Sequence, residues 1–247
     1  MPDVLGYRGK WGVLVPSTNT VVEPDFYAMA PPGITLHTSR ISITNPRIDD
    51  DAAFEALMVQ IRSSIAQAVA DVLTAEPDCL VMGMSSETFW GGRQGNEEFQ
   101  RRIAGLAGMP IATGANACAR AFGELGSRRL GVVTPYQAIG DAQVRRFFEE
   151  SGYEVVALTG LRCPTAVSMA HADEATLRRA LGEVNRPDVD TIVQVGTNLS
   201  MLRLADAADR ELGKPVIAIN GATFWYALRS NGIADRMAGF GRLLRDH

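Results

Sequence analysis

Short apolar runs recur along the chain, each closing on small or hydroxyl-bearing residues, with helically spaced stretches between them. Trp11-Gly-Val-Leu-Val15 reads as a strand that ends in Pro16-Ser-Thr-Asn-Thr20. Ile34-Thr-Leu-His-Thr-Ser-Arg40 alternates with period two, the pattern of a half-buried strand. Residues 51–75 set Phe54, Leu57, Ile61, Ile65 and Val69 at helical intervals. Residues 79–84 form a buried-type strand, 95–106 a charged helix, and Met109-Pro-Ile-Ala-Thr113 another short strand.

The order then starts again. Leu130-Gly-Val-Val-Thr-Pro-Tyr136 matches Trp11-Gly-Val-Leu-Val-Pro-Ser17 in character. The run at 191–197 matches that at 79–85, and 214–223 matches 109–116. The offsets, about 119, 112 and 105 residues, keep their order, so the chain reads as an internal duplication. The repeat unit is far longer than that of a solenoid. Alternating strands and helices predict an α/β fold with parallel sheets covered on both faces. The expected halves are 1–118 and 119–247, divided somewhere in 115–130, with a helix near 222–230 packing back on the first half. Ligands in such folds bind beyond the carboxyl ends of the strands. Two facing halves would gather the polar strand ends around one cleft.

Composition narrows the partners. A chain of 247 residues holds one large domain or two ordinary ones. Its net charge of -4 leaves no electrostatic footprint for nucleic acid. No leader-like segment and no apolar run long enough to span a bilayer stands out, so the expectation is a cytoplasmic protein without membrane contact. Cys79, Cys118 and Cys163 are odd in number and widely spaced, forming neither a zinc pattern nor a disulfide framework. With histidine only at His37, His171 and His247, no metal site is expected.

Four clusters carry candidate chemistry. Ser17, Thr18 and Asn19 form either an anion seat or a helix N-cap. Ser85, Ser86, Glu87 and Thr88 crowd the next strand end. There Ser86 is a donor or nucleophile, Thr88 an oxyanion donor, and Glu87 a general acid or base if Phe89 or Trp90 desolvates it. The competing reading is a capping segment with Glu87 in solvent. Tyr136 either donates to a developing oxyanion or packs its ring. Gly196, Thr197 and Asn198 permit close backbone approach and can cap a helix or hold a carboxylate. Asn220-Gly-Ala-Thr223 is a helix start or a further carboxylate clamp, and Arg40 a carboxylate ligand or a surface ion pair. The three cysteines read as inert small residues.

Val15-Pro-Ser-Thr-Asn-Thr-Val-Val-Glu23 resembles the opening motif of maleate isomerases. His37-Thr-Ser-Arg-Ile41, Val81-Met-Gly-Met-Ser-Ser86, Tyr136, the run at 192–197 and Phe224-Trp225 extend the likeness over nearly the whole chain. The sequence thus resembles the Asp/Glu racemase superfamily, in its maleate isomerase and arylmalonate decarboxylase branch. That resemblance implies a pseudo-twofold pair of αβα halves around a cleft for a small carboxylic or dicarboxylic acid. It implies no metal or organic cofactor, and a homodimer fits it. Asn19 and nearby hydroxyls would hold a carboxylate, and Tyr136 would stabilise an enediolate. It also places Ser86 and Thr197 where family members carry cysteines. A hydroxyl cannot copy a thiolate, whose parent thiol titrates at about 8.5, without a strong base beside it.

The leading expectation is therefore a decarboxylase or isomerase working through an enediolate-like intermediate. Ser86, Glu87, Tyr136 and Thr197 are its catalytic candidates, with Glu87 moving the proton. Ser17, Thr18, Asn19, Ser85, Thr88, Gly196 and Asn198 are its binding candidates. The alternatives are a Glu87-dependent hydrolase or lyase, a catalytically inactive carboxylate binder, and a cleft that Cys79 or Cys118 enters.

Overall fold

A computed structural model describes residues 3–247. The first sheet holds β1 (Gly9–Pro16), β2 (Ile34–Ile41), β3 (Cys79–Met82) and β4 (Ile111–Ala112), all parallel, in the order β2-β1-β3-β4. The second holds β5 (Arg129–Thr134), β6 (Glu154–Gly160), β7 (Thr191–Gln194) and β8 (Val216–Ala218), also parallel, in the order β6-β5-β7-β8. The two orders are the same order. Trp11 pairs with Cys79 in the first sheet, and Leu130 with Thr191 in the second. Even the close approaches repeat. A Cβ on Gly12 of β1 would meet Leu80 at 2.7 Å, and one on Gly131 of β5 would meet the Val184 carbonyl at 2.7 Å. Glycine is required at both because the neighbouring segments close tightly over the strands.

Between the strands lie α1 (Val22–Met29), α2 (Asp51–Leu73), α3 (Ser86–Phe89), α4 (Gly92–Ala107) and α5 (Gly114–Leu125). The second half carries α6 (Ala138–Glu150), α7 (Glu174–Val184), α8 (Leu202–Leu212), α9 (Ile219–Ser230) and α10 (Arg242–Asp246), with a 3-10 turn at Val167–His171. Asp50 caps α2 by accepting from the Ala53 N–H at 2.8 Å. Against the expectation that no apolar run is long enough to span a bilayer, the α2 helix passes by length and composition. Its apolar face, Phe54, Leu57, Met58, Ile61, Ile65, Val69 and Val72, is buried in the core, while Glu55, Ser63, Gln67 and Asp71 face out.

The chain does not divide cleanly after residue 118, because that point falls inside α5, a continuous helix. Phe122 of α5 packs edge-on against Phe148 of α6 and Tyr153 at the start of the second half's β6 segment. In return Phe224 of α9 packs on Trp11 and Phe26 of the first half. Each half therefore lends a helix to the other, and one hydrophobic core runs through both.

Candidate functional site

The carboxyl ends of β1, β3, β5 and β7 converge on a small cavity of about 50 Å³ between the two halves. Thr18 and Asn19 reach it after β1, Met84, Ser85 and Ser86 after β3, Tyr136 after β5, and Gly196, Thr197 and Asn198 after β7. The facing wall is apolar and comes from Phe54, Leu57 and Ile61 of α2, with Ile43 and Met169 from two loops. Those loops follow β2 and β6 and meet above the site. Arg47 and Thr165 form an antiparallel bridge, and the Ile48 N–H donates to Pro164 O at 2.7 Å.

The polar side is a connected array. Tyr136 and Ser85 share a hydrogen bond of 2.6 Å between their hydroxyls. The Thr197 N–H donates to Ser85 Oγ at 3.3 Å, and Thr197 Oγ1 donates to Gly83 O at 3.1 Å. Asn19 Nδ2 donates to Thr197 Oγ1 at 3.2 Å, while Asn19 Oδ1 accepts from the Val21 and Val22 N–H groups, both at 2.9 Å. Asn19 thus caps the start of α1 and ties the halves together with the other end of the same amide. Asn198 does the reciprocal work, accepting from the Thr20 N–H at 2.9 Å and donating to Ala166 O at 2.8 Å. Thr18 Oγ1 and Ser86 Oγ, on residues that line the cavity, have no partner among the described residues, nor do the N–H groups of Thr18, Ser85 and Asn198. Donors without a partner beside a cavity are available to a ligand that reaches them.

Tyr136 is held on all sides. Its N–H donates to Thr134 Oγ1 at 3.1 Å, that hydroxyl donates to the buried Asp141, and Arg162 bridges Asp141 and the Tyr136 carbonyl. Its ring meets Phe54 edge-on at 5.5 Å. Burial pushes the phenol well above its ordinary range, with Ser85 pulling it down and Asp141 pushing it up, so it stays a neutral donor. Gly196 holds φ at +113°, and a Cβ there would strike Pro135 at 2.4 Å. Only glycine lets the two strand ends approach so closely.

Three predicted site residues do not reach the cavity. Ser17 is exposed and exchanges hydrogen bonds with the Ile43 backbone. Thr88 is buried on α3 with its hydroxyl donating to Ser85 O at 2.7 Å. Glu87 points out of the back of the site, where its carboxylate accepts from Arg62 Nε at 2.8 and 3.0 Å and lies 3.6 Å from Arg102. One helical step separates Glu87 from Ser86, and that step rotates it out of the cavity. The register also makes Ser85, rather than Ser86, the twofold counterpart of Thr197. The Gly83 N–H donates to Leu14 O as the Val195 N–H does to Val133 O, and Ser85 and Thr197 each follow two residues later.

Cysteine is absent from the cavity lining. Cys79 sits at the opposite end of β3, Cys118 inside α5, and Cys163 in the loop after β6, all buried. Burial pushes Cys79 up to about 12 and raises the other two thiols as well. Such thiols are unreactive. Arg40 is taken by Glu23 and by the Asn19 carbonyl. Asn220 stands behind the site, its Nδ2 donating to Thr197 O at 3.0 Å and to Asp25 at 2.8 Å. Among the described residues no three His, Cys, Asp or Glu side chains converge as metal ligands would. Sequence reasoning missed the apolar wall. The Phe54–Leu57–Ile61 stripe was visible, but periodicity cannot tell a core-facing stripe from one whose end borders a cavity.

The family model for arylmalonate decarboxylase matches residues 11–244. A maleate isomerase of Pseudomonas putida is 26% identical over 94% of this chain and 96% of its own length. The arylmalonate decarboxylase of Bordetella bronchiseptica is 28% identical over 94% of this chain and 95% of its own length. Among solved structures, a maleate cis-trans isomerase of Nocardia farcinica superposes with a TM-score of 0.85 at 22% identity, covering 96% of this chain and 98% of that one. That structure is a cysteine-to-serine variant holding a covalently bound succinylcysteine intermediate.

Proposed function

The chain belongs to the arylmalonate decarboxylase family and is an enzyme of its isomerase or lyase kind, and on that premise we propose that it decarboxylates a small malonate-type diacid bearing an apolar substituent. One observation carries this reading: the cavity opposes a hydroxyl and amide seat to an apolar wall, without a thiol in it. An isomerisation through a succinylcysteine needs a thiolate, and the hydroxyls at the strand ends do not supply one. Decarboxylation needs only a place for charge to develop.

One carboxylate rests on Thr18, Ser86 and the free N–H groups of Thr18, Ser85 and Asn198. The other lies against the apolar wall with the substituent, where poor solvation favours loss of charge as CO2. The carbon–carbon bond breaks, its electron pair delocalises into an enediolate, and the spare O–H of the Tyr136–Ser85 pair, which the Thr197 N–H orients through Ser85 Oγ, stabilises that oxyanion. Carbon then takes a proton from Tyr136 O–H, and the phenolate recovers one from water. The reading calls for no organic cofactor. Glu87 has no proton-transfer role in it, and the Glu87-dependent hydrolase loses its base for the same reason: that carboxylate is turned to Arg62.

The test is proton NMR of the purified protein in D2O with phenylmalonate and maleate. Phenylacetate carrying one deuterium, with maleate unchanged, is the expected result. Conversion of maleate to fumarate with phenylmalonate untouched would overturn it.

A further inference from the structure

Two pairs of adjacent residues straddle the wall of the cavity. Ser86 faces the cavity and Glu87 faces away, while on α2 Ile61 faces the cavity and Arg62 faces away. Behind the wall Glu87 and Arg62 meet, the carboxylate accepting twice from Arg62 Nε at 2.8 and 3.0 Å. The Glu87 side chain is 8% exposed and that of Arg62 35%, so the carboxylate end of the contact is shielded while the guanidinium end meets solvent. Arg62 has a second hold on the same wall. Its guanidinium lies 5.4 Å from the centre of the Trp90 ring, and Trp90 stacks at 6.1 Å on Phe54, which lines the cavity. Arg102 of α4 adds a charge 3.6 Å from Glu87 on the far side.

We propose that the Arg62–Glu87 pair is a positioning device that fixes the gap between the polar lip at Ser86 and the apolar wall of α2, and so sets which substituent the cavity accepts. The substituent clause rests on the decarboxylase reading; the fixing of the wall does not. A four-residue helix such as α3 has too few internal hydrogen bonds to hold its own orientation. It is moored instead through Glu87 to α2, and through the Thr88 carbonyl to Asn96 Nδ2 of α4 at 2.7 Å. Loss of the α2 mooring lets Ser86 and Ile61 separate, which penalises and rewards substituents by size. A group that merely stabilises the fold would lower all substrates alike.

The experiment compares wild type with Glu87→Gln, Arg62→Lys and the apolar double variant Glu87→Gln/Arg62→Met. The lysine keeps the charge but loses the two-oxygen contact and the guanidinium contact with the Trp90 ring. The double variant covers the case in which either single one leaves a buried charge that prevents folding. Two quantities are read: kcat and KM for phenylmalonate and methylmalonate, and the methyl order parameter of Ile61 with Ile192 as the remote control. The expected result is a shift of about tenfold in the ratio of the two kcat/KM values, carried by KM, with a lowered order parameter at Ile61 alone. A ratio held within about twofold and an unchanged Ile61 methyl, in variants that fold, would overturn the proposal. If the wild type turns over neither diacid, the decarboxylase reading fails by itself, and the Ile61 methyl still decides whether the pair fixes the wall.

Discussion

Tyr136 carries two duties in the proposed reaction, and one atom performs both. Tyr136→Phe removes that oxygen but keeps the ring against Phe54, so the fold is expected to survive with a loss of about 0.5–1.5 kcal/mol for the hydrogen bond to Ser85, which keeps its partner at the Thr197 N–H. Turnover of phenylmalonate should fall by about 10²–10³-fold, as for loss of an oxyanion donor. A variant that keeps more than half the wild-type rate would remove Tyr136 from the mechanism. Asp25 makes a different prediction, about stability. Burial pushes it up to about 6, with Asn220 and Arg203 pulling it down. Because the folded value lies above the ordinary 3.8, the native state holds this proton more tightly than the unfolded chain does. The benefit is complete below pH 4 and is lost as pH rises through about 6. Asp25→Asn abolishes the titration and still offers Asn220 an oxygen. It should match wild type near pH 4 and exceed it at pH 8 by on the order of 3 kcal/mol. Thermal melts across that range check this, and a constant difference would refute the assignment.

At the scale of elements, α9 is the piece on which both halves depend. Phe224 is fully buried, with ring centroids 5.4 Å from Trp11 and 5.2 Å from Phe26. Phe224→Ala should cost about 3–5 kcal/mol in chemical denaturation, and a loss below 1 kcal/mol would mean that the site collapses freely around the smaller side chain. The strands of the first sheet, β5, β7 and the repeat itself were legible in the sequence, because buried parallel strands are short apolar runs with polar ends. β6, Glu154–Gly160, was not, although Val155-Val-Ala-Leu158 is an apolar run, because it is an edge strand, half-exposed beyond Val155, and closes on no cluster of polar residues like those of the other strands. The polar strand ends were legible as a site for the same topological reason. Which members of Ser85-Ser86-Glu87-Thr88 enter the cavity was not, because a four-residue helix turns about 100° at each step and its starting phase is set by contacts with α2 and α4. The exchange of α5 and α9 was legible only in part: the return of the last long helix could be expected, while the matching crossing of α5 put the nominal boundary inside a helix.

On the scale of the whole molecule, the cavity exists only between the halves, so its integrity depends on whether they can part. Three kinds of contact oppose that. The exchanged helices bury Phe122 and Phe224 in the opposite half. The strand-end amides cross the gap at Asn19–Thr197 and Asn198–Thr20. The loops after β2 and β6 close over it through Arg47 and Thr165. Neither half can unfold without exposing the helix it borrowed, and the helix it lent leaves the other with an open core. Duplicated sheets joined by a short linker would melt as two units; sheets that trade helices should melt as one. Calorimetry is expected to show a single transition, with the calorimetric and van't Hoff enthalpies equal. Asn198→Ala, which cuts contacts between the halves without touching either sheet, should lower that one midpoint and leave it single. Two resolved transitions in the wild type would show that the halves are independent, and would make the cavity a place that opens without unfolding. A single transition makes every residue of the exchanged helices part of the same cooperative unit as Ser85, Tyr136 and Thr197, so that mutations far from the cavity weaken it only by weakening everything.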